Sequence, residues 1–349
     1  MVLMALGFWL NKKKSRSNGS HKNFELTVLI PFRNEAENIK VFLNQIEQQT
    51  LQPKKWIFIN DHSTDNWQKH IDNKPDNVFF LELPEQLEGK KKALAFGMEK
   101  VETEWVLTMD ADITFSKKYI ETLSKIPKAD MVILPVRMKG KGFQQLFFEP
   151  DVLMVNALNN ACSGFFRPIL ASGANLLFKV SSYKGWSNLE THAHISSGDD
   201  VFLLRDFLKN KGKINVVNVQ ELIVETPTPI TWSAFLNQRV RWISKSTKTG
   251  DLFAEMLGLV QLIIQVVFYL LLFQSAFNGN WLDFSILVFT KSLFEIVGFS
   301  PYFFSLNAHF TLFLLPIYQF FYPILNVIII LKWMFGKSDW KGRIAIQSK

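Results

Sequence analysis

Trp105-Val106-Leu107-Thr108-Met109-Asp110-Ala111-Asp112 joins a run fit for a buried strand to two carboxylates one residue apart. Acids so placed stand at the carboxyl end of the strand, where open α/β sheets bind ligands. At i and i+2 on a turn they can hold a divalent cation while touching a sugar or phosphate, and oxygen ligands suit Mg²⁺ or Mn²⁺. A solvated turn has the same composition, so the reading depends on what else the chain brings to that edge.

Several other clusters carry polar chemistry. Leu26 to Ile30 is an apolar run closed by Pro31, and Trp56 to Ile59 is another, closed by Asn60-Asp61-His62-Ser63-Thr64-Asp65. Gly89-Lys90-Lys91-Lys92 opens a helix and presents cations at an N-terminus that already favours phosphate, although a solvated basic face reads alike. Asp199 and Asp200 precede the apolar run Val201 to Leu204. Capping of a helix's first turn accounts for such a pair; so does a general base whose ionisation its neighbour tunes. Gln238-Arg239-Val240-Arg241-Trp242 lies in the helical stretch Trp232 to Ser246. There Arg241 can reach a diphosphate bidentately and Trp242 offers a flat face to a sugar ring or lipid stem, while a juxtamembrane amphipathic helix is the plainer alternative. Ala171 to Phe178 reads as a small-residue turn into a strand, permitting close backbone approach to a ligand. His192 and His194 have no further Cys or His nearby and read as surface residues. The lone Cys162 excludes an intramolecular disulfide and a four-cysteine metal site, and is read as a packing residue.

The elements that must position these groups follow from periodicity. Strands at Leu26–Ile30, Trp56–Ile59, Val78–Leu83 and ahead of Asp110 alternate with helical patterns, notably Ile39, Phe42, Leu43 and Ile46 within Glu35 to Gln48. This is an α/β pattern, predicting a parallel sheet with right-handed crossovers. Met131–Val136 reads as a further strand and Phe143–Ala161 as a helix. Composition then divides the chain. Residues 1–23 form an apolar N-terminal anchor and basic linker; Met1 to Leu10 is too short to span a bilayer and its lysines follow it, unlike a secretion signal. An interfacial anchor, or the tail of a longer hydrophobic helix, is expected. Residues 24–231 are expected to form the α/β domain, 232–251 a juxtamembrane helix, 252–335 a membrane region and 336–349 a basic tail.

In the membrane region Phe253–Phe277 and Phe310–Trp333 are long enough to span, the latter with Pro316 and Pro323. Trp281–Ser300 carries Lys291 and Glu295 at i, i+4. The tail, with Lys332, Lys337, Lys341, Arg343 and Lys349, prefers the cytoplasm. Three full crossings would place it outside, so either the middle segment is re-entrant or interfacial or the charge rule fails. The net charge of +8 suits an anionic leaflet and an anionic donor; no spacing supports nucleic-acid binding.

Ile30-Pro31-Phe32-Arg33-Asn34-Glu35, Asn60 to Asp65, Gly89-Lys90, Asp110-Ala111-Asp112, Gly198-Asp199-Asp200 and Gln238 to Trp242 occur in this order. Together they resemble the family 2 glycosyltransferases, in particular the membrane-integrated branch of cellulose, hyaluronan and poly-N-acetylglucosamine synthases and ceramide glucosyltransferase. The resemblance covers about Phe24 to Ser246. It implies a GT-A fold, a Rossmann-like mixed sheet, followed by C-terminal transmembrane helices. By the same resemblance Pro31 and Asp61 would cradle the nucleotide, Lys90 would lie at the donor, Asp110 would contact its ribose or sugar, and Asp112 would ligate Mn²⁺ or Mg²⁺. Asp200, with Asp199 beside it, would take the acceptor proton; Gln238, Arg241 and Trp242 would close over diphosphate and acceptor. It further implies a nucleotide-diphosphate sugar donor, UDP-sugar foremost, a lipid or membrane-proximal glycan acceptor, inversion, and a multi-pass protein of a bacterial-type inner membrane with its catalytic domain cytoplasmic. Two departures stand out: Asp199 replaces the usual Glu, and His62 stands where Gly is common. Alternatives are a processive polysaccharide synthase, a polyprenyl-phosphate sugar synthase, and a non-catalytic nucleotide-sugar sensor or scaffold.

Overall fold

The computed structural model describes residues 1–14, 24–140, 145–188, 198–246, 249–335, 338–340 and 343–345. The basic linker, the His192–His194 pair and most of the basic tail lie outside these residues.

At the centre is β1 (Leu26–Phe32), buried along its whole length. Its side chains alternate as a pleated strand requires. Leu26, Val28, Ile30 and Phe32 enter one apolar cluster with Ile39, Phe42, Leu43 and Ile46 of α2 (Ala36–Glu47); Leu29 enters a second with Ala93, Leu94 and Met98 of α3 (Lys90–Met98). Covered on both faces, such a strand has no side left for polar residues, which is why it reads as a continuous apolar run. β2 (Lys55–Asn60) and β4 (Trp105–Met109) share their side chains between the same clusters.

With β3 (Val78–Glu82), β6 (Met131–Ile133), β8 (Asn175–Lys179) and β9 (Ile214–Val216), these strands form a seven-stranded sheet ordered β3-β2-β1-β4-β8-β6-β9. The expected parallel pairing holds from β3 to β4. Beyond it β8 runs antiparallel to both β4 and β6, so the sheet is mixed. The βα alternation that favours parallel pairing stops at Asp112, and β8 is reached only after three short strands, α4 (Tyr119–Lys125) and the long α5 (Gln145–Phe165), then runs directly into α6 (Val180–Trp186). The chain runs outward from β1 to β2 and β3, then re-enters on the other side of β1 as β4. That reversal opens a crevice at the carboxyl ends of β1 and β4. Pro31 lies past the last β1–β4 pair, Leu29↔Thr108, where its missing N–H interrupts no bond to β4.

The single strand expected over Met131–Val136 is two. Pro135 turns the chain between β6 and β7 (Val136–Lys139), which joins β5 (Thr114–Phe115) and β10 (Val224–Pro227) in a second sheet. Buried Asn175 holds the corner, donating from Nδ2 to the Pro135 carbonyl at 2.8 Å and the Leu222 carbonyl at 3.0 Å while accepting from the Tyr119 hydroxyl.

Among the described residues, two helices are long and apolar enough to cross a membrane, α9 (Leu252–Phe277) and α11 (His309–Phe335). Between them α10 (Trp281–Ser305) runs through Pro301, past the Ser300 limit expected, and Lys291 Nζ meets Glu295 Oε1 at 2.5 Å. Gln319 of α11 donates to Ser292 Oγ at 3.0 Å, so the helices meet through polar groups as well as apolar ones. The N-terminal helix α1 (Val2–Lys14) is docked rather than loose. Phe8 is buried with Leu153, Ala157 and Phe303, Gly7 crosses Gly164 of α5 at backbone contact, and Asn11 donates to the Val216 carbonyl at 2.8 Å. Val2, Leu3, Leu6 and Trp9 stay exposed on its other side. In the tail, Ser338–Trp340 and Arg343–Ala345 pair as an antiparallel hairpin.

Candidate active site

A cavity of about 890 Å³ opens at the crevice, within the range of ligand pockets. Its lining includes every residue expected at the donor, metal or acceptor: Pro31, Asp61, Lys90, Asp110, Asp112, Asp199, Asp200, Gln238, Arg241 and Trp242. The acids after β4 face it together for a local reason. Ala111 and Ile113 are buried in the core, so the strand's alternation continues past Met109 and turns Asp110 and Asp112 to the opposite side.

The loops after β1 and β2 are stitched to each other and to the start of α3. Asn34, at φ 54°, accepts at Oδ1 from the Thr64 N–H at 2.7 Å, and Asp65 Oδ2 accepts from the first N–H of α2 at 2.8 Å. Arg33 Nη1 donates to the Asp61 carbonyl at 3.0 Å. Asp61 is buried, and its Oδ1 accepts from the Gly89 N–H at 3.0 Å. Gly89 has φ 94°, a conformation that glycine adopts freely and other residues resist. His62 also lies at positive φ, 55°, the backbone reason a glycine suits this place; its Nε2 bonds the Leu87 carbonyl at 2.8 Å.

Lys90, at the first turn of α3, pairs with Asp110. Burial pushes its ammonium down, but the carboxylates of Asp110, Asp199 and Asp200 outweigh that and hold it above its ordinary value. Opposite, Gly198 at φ 97° swings the chain into α7 (Asp199–Lys209), whose first two residues are the acidic pair. The pair is divided by its surroundings. Burial raises Asp199, and Asp200 and Asp110 raise it further, against Lys90 and Lys245. Burial also raises Asp200, yet Lys245 and Lys90, with hydrogen bonds from Lys245 and Gly173, outweigh it and leave Asp200 below the usual carboxylate value. Gly173 explains the small-residue turn before β8: a Cβ there would stand 3.1 Å from Asp199 Oδ2 and 3.3 Å from Lys90 Nζ.

The third wall is α8 (Trp232–Ser246). Gln238, Arg241, Trp242 and Lys245 all line the cavity, and their spacing of three and four puts them on one helical face. Lys245 was not anticipated from the sequence, although its position one turn beyond Arg241 carries the signal. Arg239 turns away from the cavity. Its guanidinium pairs with Asp151 Oδ2 at 2.5 Å and lies over the rings of Phe235 at 4.4 Å and Trp242 at 4.3 Å, bracing the tryptophan from behind. Asn156 and Val152 of α5 and Tyr302 of α10 extend the lining toward the membrane helices. The paired histidines at 192 and 194 lie outside the described residues, and Cys162 is buried, its thiol pushed up by burial.

A mixed sheet with an Asp-x-Asp turn at its switch point, cations on two walls and an acidic pair facing them is the arrangement of a GT-A fold. Residues 27–185 match the family described as Glycosyl transferase family 2, and this match, with the curated relatives, supports a glycosyltransferase. A mannosyltransferase from Pyrobaculum calidifontis, solved with GDP-Man and Mn²⁺, has the same fold at a TM-score of 0.57, with 16% identity over 96% of this chain and 95% of that one. Among curated relatives, a poly-beta-1,6-N-acetyl-D-glucosamine synthase of Staphylococcus epidermidis is 24% identical over 82% of this chain and 74% of its own length. A teichoic acid poly(glycerol phosphate) polymerase of the same species is 28% identical over 47% of this chain, which spans only 25% of that relative.

Proposed function

We propose that this chain is an inverting, divalent-metal-dependent glycosyltransferase that moves a sugar from a nucleotide-diphosphate sugar, UDP-sugar foremost, to a lipid or membrane-proximal glycan acceptor. One observation carries the reading: a single cavity holds Asp110, Asp112 and Lys90 on one wall and Asp200, Arg241 and Trp242 on the others. The donor set fits the metal. Asp112, with Asp110 beside it, offers hard oxygens, and among the described residues no cluster of three metal-ligating side chains closes a protein-only site, as suits an ion sharing its coordination with phosphate and water. Mg²⁺ or Mn²⁺ held there supplies positive charge beside the departing diphosphate.

The chain's own groups perform the rest. Pro31, Asp61 and the Gly89 turn bound the nucleotide, and Lys90 and Arg241 bring cations to the diphosphate. Trp242 gives the acceptor a flat apolar wall. Asp200, the acid its surroundings keep ionised, takes the proton of the acceptor hydroxyl as that oxygen attacks the anomeric carbon. The bond from that carbon to the diphosphate breaks, its electron pair leaves on the nucleoside diphosphate, and attack from the opposite side turns an α-linked donor into a β-linked product.

The exposed apolar surfaces of α9 and α11 support an inner-membrane, multi-pass protein with its catalytic domain on the cytoplasmic side, where nucleotide sugars are available. Likeness to a polysaccharide synthase over most of the chain favours processive addition as the second reading, and product length on purified enzyme separates the two. The test is a screen of UDP- and GDP-sugars with Mn²⁺ or Mg²⁺ against membrane lipid extracts, scoring nucleotide release. Asp200→Asn should lower kcat by ~10²–10⁴-fold with donor binding intact; turnover near wild type would remove Asp200 from the role, and a product that keeps the donor's α linkage would exclude inversion.

A further inference from the structure

Lys245 Nζ lies 3.0 Å from Asp200 Oδ1 and 3.2 Å from Oδ2, with both side chains largely buried. The Val201 N–H also reaches Oδ1, at 2.8 Å, and the Gly173 N–H reaches Oδ2, at 3.2 Å. An ionised carboxylate has about four lone-pair positions, and these four contacts fill them. An acceptor hydroxyl can therefore meet Asp200 only by taking a position now held by a donor. Two of those donors are backbone groups fixed by α7 and by the turn before β8; the Lys245 ammonium alone sits at the end of a long rotatable chain and lines the cavity. The fit between α8 and α7 is close: a Cβ on Gly198 would stand 3.3 Å from Lys245 Cβ.

We propose that Lys245 is a positioning residue for sugar transfer, holding the Asp200 carboxylate charged and in one plane in the free enzyme and yielding one of its positions to the acceptor hydroxyl. The proposal rests on the reading of Asp200 as the base. It also assigns the end of α8 a task, since the helix carrying Gln238, Arg241 and Trp242 becomes tied directly to the proton acceptor.

The other charges acting on Asp200 are Arg241 on α8, Asp199 on α7, and Lys90 and Lys91 on α3; the turn before β8 contributes the Gly173 N–H. Lys245 favours the ionised form, so its removal makes the proton harder to lose and moves the acid limb of the rate profile upward. An opposite charge at this range is worth about 1–3 pH units. The test uses the full chain in detergent, with nucleoside diphosphate release measured from the UDP-sugar most active with total lipid extract. In Lys245→Met and Lys245→Gln the midpoint of the acid limb of kcat/KM, followed down to about pH 4, should rise by about 1 pH unit or more. Lys245→Arg should keep the wild-type limb. Parallel profiles for the neutral variants, or a raised donor KM with an unmoved limb, overturn the proposal, the latter by making Lys245 a donor ligand. Asp200→Asn is the separate arm: near-wild-type turnover there overturns the base assignment itself, whatever Lys245 does. Tm measured on each variant separates loss of fold from loss of function.

Discussion

The docking of α1 turns on two glycines, and Gly164→Ala tests it. A methyl at Gly164 would stand 1.9 Å from the Gly7 carbonyl oxygen, 2.7 Å from its carbonyl carbon and 3.0 Å from its Cα. Backbone atoms cannot swing aside as a side-chain end can. With ordinary non-bonded contact at about 3.5 Å, the two helices must part by roughly 1.5 Å at the crossing. A gap of 0.5–1 Å already forfeits about a quarter to a half of a contact's attraction, and core overpacking of this kind costs about 1–3 kcal/mol. The interactions at stake are of similar size: burial of Phe8 is worth about 1.5–3 kcal/mol, and the Asn11–Val216 bond about 0.5–1.5 kcal/mol. α1 should therefore shift from docked toward open by about ten- to a hundredfold, since about 1.4 kcal/mol is tenfold. Hydrogen exchange of the α1 amides in detergent reads this directly. Gly258→Ala is the control, because a Cβ there meets nothing within 4 Å. Exchange in Gly164→Ala no faster than in that control would show that the crossing does not hold α1.

Other consequences follow from the same geometry. Gly173→Val should leave Tm near wild type while displacing Asp199 and Lys90, and a misplacement approaching 1 Å lowers kcat by about 10²-fold; an unimpaired variant would mean that the turn does not order the site. In α10, Lys291→Met strands Glu295 without its cation and should cost about 3–5 kcal/mol, whereas replacing both by apolar residues should recover most of the loss. Equal Tm for the single and double variants would show that the pair is not interacting.

The side of the cavity formed by the strand ends was legible because it is built by local rules. A fully buried strand must end somewhere, and polar residues at its carboxyl end cannot continue the core, so Asp61, Asp110 and Asp112 stood out at two strand ends of one sheet. The glycines at 89 and 198 marked turns with positive φ, and both precede helices carrying the expected charges. What the sequence did not disclose was decided by long-range packing. The antiparallel insertion of β8 depends on where a 21-residue helix returns the chain. Pro135 was visible, but its effect on Met131–Val136 needed Asn175, forty residues away, to hold the corner. Arg239 and Arg241 are two residues apart on one helix, and only the location of Asp151 decides which of them faces the cavity. Lys245 lay within the helix as drawn yet acquires meaning only when α7 is brought against it.

The face of α8 turned from the cavity has a practical consequence. Phe235 and Val240 pack with Phe148 against Leu325 and Ile329 of α11, Arg137 donates to the Leu306 carbonyl at 3.1 Å, and Thr311 donates to buried Glu149 at 3.3 Å. Composition changes abruptly near Asp251, which invites a cut there to obtain a soluble enzyme. Such a cut would leave Phe235 and Val240 facing water and take from the Arg137–Glu149 ion pair its contacts with Leu306 and Thr311, behind the helix that bears Arg241 and Trp242. The protein is divisible as text and continuous as a solid, so expression strategies that keep α9 to α11 in detergent preserve this wall of the cavity, and those that discard them redesign it.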